Sequence, residues 1–471
     1  MTTLSAMPTV IEAAERIRNG TTTSRVLVER CFDVIAARNT ELNAFVHLDS
    51  DGALNAADHI DQAVARGEYL GPLAGVPFGV KDLENCAGMP TTKGSLWYQG
   101  RPAATADDLH VARLRAAGAI PIGKTAAPEF GTWAYTASPA LGVTRNPWNP
   151  SQTPGGSSGG STAAVSSGMV PFCTASDGGG SIRTPAGFTG LVGLKSTYGR
   201  IPGLNLTRLS QNACVGSVTT TVADHALLFD IMSGPDRRDR TSLPASGVVY
   251  SDAINTLDVG GLRCAYTPDF GFAIVDPEVA ATTERAARAI SDAAGMVWVD
   301  RTIEFQDWVR TYARIEGADM FIGHPEAFWN TRLDDLDPTV KPGWEAGMRT
   351  TLPKFAKVYN ERLEIELRAA ELFDDVDVVF SPMTAITAFN AEGPMPTEVC
   401  GQRTHGGMSV PYAMLANLVN LPAINIPAGL HSNGMPIGLQ CIGDRYRDDV
   451  CLRLARVAEH AIPWPRHAPT T

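Results

Sequence analysis

The sequence lacks the patterns of a zinc hydrolase, a disulfide-stapled secreted domain, a membrane protein or a nucleic-acid binder. Its eight cysteines, at positions 31, 86, 173, 214, 264, 400, 441 and 451, include no C-x-x-C pair. In a chain of 471 residues such scatter reads as free thiols of a reducing compartment rather than a disulfide framework. The nine histidines form no H-E-x-x-H and no i, i+4 pair, so no metal and no other cofactor is expected. No run approaches the roughly 18 apolar residues that would suggest a membrane span. The first residues, MTTLSAMPTVIEAAERIRNG, lack the basic-then-apolar layout of a signal peptide. Basic residues are outnumbered 39 to 50, for a net charge of -11, which argues against nucleic acid or an anionic membrane as partner. The expectation is a cytoplasmic protein, monomer or homodimer, whose partner is a small molecule.

What is present is an ordinary globular composition, 44% hydrophobic and 19% charged, with length enough for a large core. Residues 8–40 read as two amphipathic helices. The second starts near Ser24 as N-cap and carries Leu27, Val28, Cys31, Phe32 and Ile35 on one face. Beyond Leu73, β-rich runs (74–82 and 118–125) alternate with helical ones (107–118), which predicts an α/β sheet. Residues 240–370 are helix-rich and charged. Strand-like segments return at 376–382, 422–429 and 436–443, and 448–461 reads as a closing helix. No internal repeat or long linker divides the chain, so a single domain over 1–471 is expected.

Two glycine-rich stretches invite misreading. Gly118 to Thr125, GAIPIGKT, formally matches the phosphate-loop pattern G-x-x-x-x-G-K-[ST]. Its four intervening residues are apolar, and Pro121 has no N–H to offer a phosphate. The run reads as a strand, with Gly118 ending the helix before it, and Lys124 is not expected to bind a nucleotide. PGGSSGGS (154–161) looks like a linker or, through Gly155–Gly159, a G-x-S-x-G nucleophile elbow. A linker would lack the apolar runs that follow it (AAVSSGMVPF, LVGL), and no recognisable Asp-then-His pair completes a triad of the elbow type.

Three segments, GPLAGVPFGVKD (71–82), TRNPWNPSQTPGGSSGGSTAAVSSG (144–168) and SDGGGSIRTPAGFTGLVGLKSTYGR (176–200), resemble the amidase signature family in order and separation. The likeness extends to KTAAPEFG (124–131), LANLVNLPAINIPAG and GMPIGLQ, and is weakest over about 240–370. It implies one large mixed β-sheet core covered by helices on both faces, with core motifs in 71–200 and 376–443. It also implies a Ser–cis-Ser–Lys triad: Lys81 as base, Ser157 as the cis serine and Ser181 as nucleophile, with 24 residues between the serines. Ala175, Gly178 and the pair Gly216–Ser217 depart from the family's usual residues.

The chemistry is coherent on its own terms. Amide cleavage needs a nucleophile, a base and donors for the developing oxyanion. An ordinary lysine, pKa about 10.4, is less than about 0.1% neutral at pH 7, and lowering it to about 7 requires roughly 4–5 kcal/mol of bias against the ammonium. Lys81 follows Val76, Phe78 and Val80 in a run that predicts a buried strand. Pairing with the adjacent Asp82 is the competing role. Ser157 would pass the proton of Ser181 to Lys81 and later return it to the leaving amine, with Ser158 as hydrogen-bonding support. The backbone N–H groups of Gly178, Gly179, Gly180 and Ser181 are candidates for an oxyanion hole, and Asp177 and Arg183 for a structural ion pair beside it.

The loop 128–139 follows the position where relatives line the acyl site. Phe130, Gly131, Thr132, Trp133 and Tyr135 are its candidate substrate contacts, although aromatics beside a sheet also build cores. The expected function is hydrolysis of aryl or other hydrophobic amides, with esters and carbamates (urethanes) as further substrates. The alternatives are the glutamine-hydrolysing component of a tRNA amidotransferase and an inactive binding module.

Overall fold

The computed structural model describes residues 6–203, 210–321 and 333–469. Parts of the chemically unreadable stretches 201–216 and 300–370 thus lie outside the described residues. An 11-stranded sheet runs in the order Phe45–Leu48, Ile120–Thr125, Pro77–Lys81, Phe172–Asp177, Cys214–Thr219, Val192–Lys195, Ala423–Leu430, Pro436–Gly443, Val378–Pro382, Arg263–Tyr266 and Val297–Trp298. It is mixed: Pro77–Lys81 runs parallel to both its neighbours, whereas Phe172–Asp177 and Cys214–Thr219 are antiparallel.

Alternation along the strands shows that both faces are covered. Val378, Phe380, Leu439 and Cys441 enter one core, with Ile290 of the helix Pro277–Ala294 and Leu454 of the helix Asp448–Ala461. Their neighbours Val379 and Ile442 enter another, with Ile315 of Val309–Asp319, Ile365 of Leu352–Asp375 and Leu415 of Ala413–Leu418. A strand whose successive side chains point to opposite faces can be apolar throughout only when each face has such a cover.

The helices Val10–Arg18, Ser24–Leu42 and Leu109–Ala116 and the strands at 77–81, 120–125, 378–382, 423–430 and 436–443 stand where the periodicity predicts them. The N-cap of the second helix is corrected by one residue. Thr23 is extended and accepts from Val26 N, while Ser24, the first helical residue, donates its hydroxyl to Gly75 O at 3.0 Å. All eight cysteines are free, and only Cys400 among them is exposed. Among the described residues no helix is long and apolar enough to cross a membrane.

Gly118 to Thr125 contains the strand expected. Lys124 is fully buried and donates to Glu84 O and to Thr91 Oγ1, and Asp82 lies 3.9 Å from its Nζ. It ties the strand's neighbours together and presents nothing to a phosphate.

Candidate active site

Lys81 is the last residue of its strand, and its side chain is fully buried. Its backbone N–H donates to Thr174 Oγ1 on the adjacent strand at 3.0 Å. The Nζ position is surrounded by oxygens: it lies 2.9 Å from Ser157 Oγ, 2.7 Å from Ser158 Oγ, 3.0 Å from Ser176 Oγ and 3.2 Å from Ser176 O. The adjacent carboxylate turns elsewhere. Asp82 accepts from Thr92 and Gly94 and faces Lys124, so the competing Lys81–Asp82 pair does not form. Burial lowers the Lys81 pKa to about 7, against the opposing pull of Glu84 and Asp177. That shift corresponds to roughly 5 kcal/mol of bias toward the neutral amine.

The peptide Gly156–Ser157 is cis, and Ser157 is buried beside Lys81. Ser158 stands at the N-cap of the helix Gly159–Ser166, accepts from Lys81, and donates its backbone N–H to Ser181 O at 3.2 Å. Ser157 and Ser181 line the same cavity. The Lys81–Ser157 hydrogen bond is formed, while none between Ser157 Oγ and Ser181 Oγ occurs among the described residues.

The turn before Ser181 is braced by a buried ion pair. Asp177 and Arg183 are both fully buried, with Nη2 at 2.9 Å from Oδ1. Burial alone would raise the Asp177 pKa, but Arg183, Asn417 and the Gly180 N–H hold it well below the usual carboxylate range. Arg183 also donates to Asn417 Oδ1 and Gln440 Oε1, at 2.7 and 2.5 Å. Gly180 N donates to Asp177 Oδ1 at 2.7 Å. This N–H is therefore committed to the turn, and of the expected oxyanion donors Gly178, Gly179 and Ser181 remain. Gly180 has φ +114°, and a Cβ there would fall 2.4 Å from Ala413 Cβ. At Gly178 an added Cβ meets nothing nearer than 3.8 Å, so the departure at this position is sterically neutral. Ala175 and Gly216 lie opposite each other in the antiparallel ladder, two small residues in register.

Ser181 and Gly179 lie where two arms of the cavity meet. The larger arm, about 510 Å³, is walled by Phe130, Trp133, Val340, Met395, Val410 and Met414. The smaller, about 190 Å³, runs past Ser176 toward Glu84, Lys93, Asp108 and His110. Phe130, Gly131, Thr132 and Trp133 line the larger arm. Tyr135 does not, and is corrected to a core residue: it is buried among Phe188, Phe389 and Met435. Gly131, at φ +76°, passes so close to Ser157 that a Cβ would stand 3.1 Å from Ser157 Oγ and 2.8 Å from Leu83 Cδ1.

Two parts of the site are not singled out by sequence reasoning: Ser176 and the helical wall. Ser176 has a signal, since Thr174 and Ser176, two apart on one strand, must share the face toward Lys81. Tyr312, Glu316 and Met320 come from or just after the helix Val309–Asp319, and Val340, Gly343 and Gly347 from the segment around Lys341–Met348. They form no motif. The second of these segments docks on the 128–133 turn through Glu129 Oε2, which accepts from Asp337 N at 2.6 Å, and through Trp133 Nε1, which donates to Thr339 Oγ1 at 2.9 Å.

Comparison with known proteins identifies the family of the chain. The Amidase family model matches residues 26–452. The chain is 33% identical over 468 residues to an acylamidase of Rhodococcus erythropolis, covering 97% of this chain and 96% of that one. It is 32% identical over 490 residues to a glutamyl-tRNA(Gln) amidotransferase component of Chloroflexus aurantiacus, covering 98% of each. A crystal structure of a bacterial aryl acylamidase of the amidase signature family superposes with a TM-score of 0.89 at 27% identity, covering 98% of this chain and 97% of that one. The class is thereby an enzyme that hydrolyses C–N bonds. The chain belongs to the amidase signature family.

Proposed function

We propose that the chain hydrolyses aryl or other hydrophobic amides through an acyl-enzyme on Ser181, with carbamates and esters as further substrates. The observation that carries this reading is the buried Lys81 Nζ, 2.9 Å from the Oγ of Ser157, a serine that lines the same cavity as Ser181. Neutral Lys81 accepts a proton from Ser157 as Ser157 accepts that of Ser181, and the freed Ser181 Oγ attacks the carbonyl. The N–H groups left in the turn, those of Gly178, Gly179 and Ser181, are the donors that stabilise the oxyanion, each such donor being worth about 10²–10³ in turnover. The proton returns through Ser157 to the leaving nitrogen, the C–N bond breaks, and water then releases the acid by the same relay. The largely apolar larger arm supports the hydrophobic substrate class, because burial of aryl or alkyl surface against Phe130, Trp133, Val410 and Met414, among a lining that also includes Arg314, Glu316 and His405, drives binding.

The similarity to the amidotransferase component supports a second reading, glutamine hydrolysis in a larger assembly. A panel of anilides, aliphatic amides, carbamates, esters and glutamine separates them. Turnover of an aryl anilide, lost in Ser181→Ala, supports the first reading. Turnover of glutamine alone replaces it with the second, and anilide turnover retained in Ser181→Ala overturns the triad.

A further inference from the structure

The oxyanion loop has a neighbour that the triad does not use. We propose that Glu316 is a positioning residue for the hydrolysis, acting through Tyr312 and Asn212 on the glycine turn before Ser181. This rests on the reading that Ser181 is the nucleophile and that the turn holds the oxyanion.

Two routes lead from Glu316 to that turn. On its own helix, Tyr312 lies one turn earlier, so both side chains share a face. The Tyr312 hydroxyl fills the place a side chain at Gly179 would take, 2.2 Å from an added Cβ, and is 3.8 Å from one at Gly178. Tyr312 thereby fixes the height of the peptide units that must point at the oxyanion. On the other side, Asn212 lies 3.3 Å from Glu316 Oε1, and Asn417 Nδ2 donates to Asn212 O at 3.1 Å and to Asp177 Oδ1 at 3.0 Å. Asp177 in turn holds Gly180 N at 2.7 Å. Glu316 therefore touches a network that grips the turn at Gly179 and at Gly180, and it lines both arms of the cavity with Ser181.

The protonation state of Glu316 matters to such a role. When Asn212 is oriented so that Nδ2 donates to the carbonyls of Ser210 and Asn417, at 3.3 Å each, its oxygen faces Glu316, and the contact requires a protonated carboxyl. Burial, and next the charge of Asp319, push the carboxyl up to about 8, against the hydrogen bond from Tyr312, the charge of Arg362 and, in the other orientation of Asn212, a hydrogen bond from its Nδ2. Asp177 and Arg183 face the same pocket from across the turn, as their action on Tyr312 shows, and Tyr359 faces it from the helix Leu352–Asp375. As an acid, Glu316 leaves the field of the loop N–H groups intact. As a carboxylate it places negative charge beside the site of the developing oxyanion and draws the Tyr312 hydroxyl toward itself. The reaction slows as pH rises through this titration.

The test is the pH dependence of covalent labelling of Ser181 by an alkyl fluorophosphonate, which needs no knowledge of the substrate. Wild-type labelling is expected to rise through about 7 as Lys81 loses its proton, and to fall about tenfold per pH unit well above the Glu316 titration. Glu316→Gln loses the descending limb and keeps the ascending one. Asp319→Asn, which keeps Glu316 and removes its like-charged neighbour, moves the descending limb to lower pH. Tyr312→Phe slows labelling at the optimum. A descending limb unchanged in Glu316→Gln or unmoved in Asp319→Asn overturns the proposal, as does wild-type labelling in Tyr312→Phe. Absence of any label on wild-type Ser181 overturns the parent reading as well, which keeps the two failures distinct.

Discussion

The wall of the cavity that carries Ser157 and Ser181, with Lys81 buried behind Ser157, is built from strand ends and the turns that leave them. The wall opposite, around Met320, Val340 and Met414, is built largely from helices. In the first, Lys81 and Arg183 are each held by several partners: four contacts fix Lys81 Nζ, and Arg183 bonds to Asp177, Asn417 and Gln440. In the second, Met320, Val340, Met395 and Met414 face the cavity, and a few hydrogen bonds such as Trp133–Thr339 dock the wall in place. Bidentate and charge-assisted bonds fix angles, whereas apolar packing with methionine tolerates exchange. One wall is suited to chemistry that must not vary, and the other to a substrate that can.

Substitutions on the first wall should therefore abolish turnover, and those on the second should redistribute it. Ser181→Ala and Lys81→Ala are each expected to lower kcat/KM on an anilide by about 10⁴-fold or more, with the double variant no worse than either single, as for groups acting as one unit. Additive losses would break the claim that they share a step. Asp177→Ala leaves the Arg183 guanidinium buried without its carboxylate, at a cost of about 3–5 kcal/mol. Urea denaturation monitored by fluorescence measures this, and a loss below about 1 kcal/mol, the range of exposed pairs, would show that the brace is dispensable. Gly131→Ala drives a methyl toward Ser157 Oγ at a backbone φ of +76°. Activity should fall about 10²-fold, the scale expected of a misplaced reacting group, mainly in kcat. Where the second wall docks on the 128–133 turn, Trp133→Ala should raise KM about tenfold for an aryl anilide and little for a small aliphatic amide. Equal losses on both substrates would mean that Trp133 serves the triad and not the substrate.

The same contrast governs what could be read from the sequence. The first wall is made of short segments in which neighbours in the chain are neighbours in the site, so GVKD, GGSSGG and DGGGSIR announce it. Even there, Ser176 goes unannounced because its role depends on which face of a strand it takes. Gly180 looks like an oxyanion donor by its place in the run, yet its N–H is bound to Asp177, a detail of turn geometry that no spacing encodes. The second wall docks on the 128–133 turn through residues 206 and 208 positions further along the chain. Its helices show ordinary amphipathic periodicity, which says that one face is buried but not against what. Tyr135 illustrates the converse: an aromatic two residues after Trp133, it is buried in the cluster with Phe188 and Phe389 instead of lining the cavity, and its proximity in sequence carries no sign of that.

The central claim is that a buried, neutral Lys81 activates Ser181 through Ser157. It is tested most directly by identifying the residue that an alkyl fluorophosphonate labels, by peptide mass spectrometry, and following the labelling rate from about pH 5 upward, two units below the Lys81 titration. The expected label is on Ser181, with a rate that rises through about 7, where burial places the Lys81 titration, and that collapses in Lys81→Ala. A label on another serine, or a rate that rises only near the ordinary lysine value of about 10.4, would contradict it.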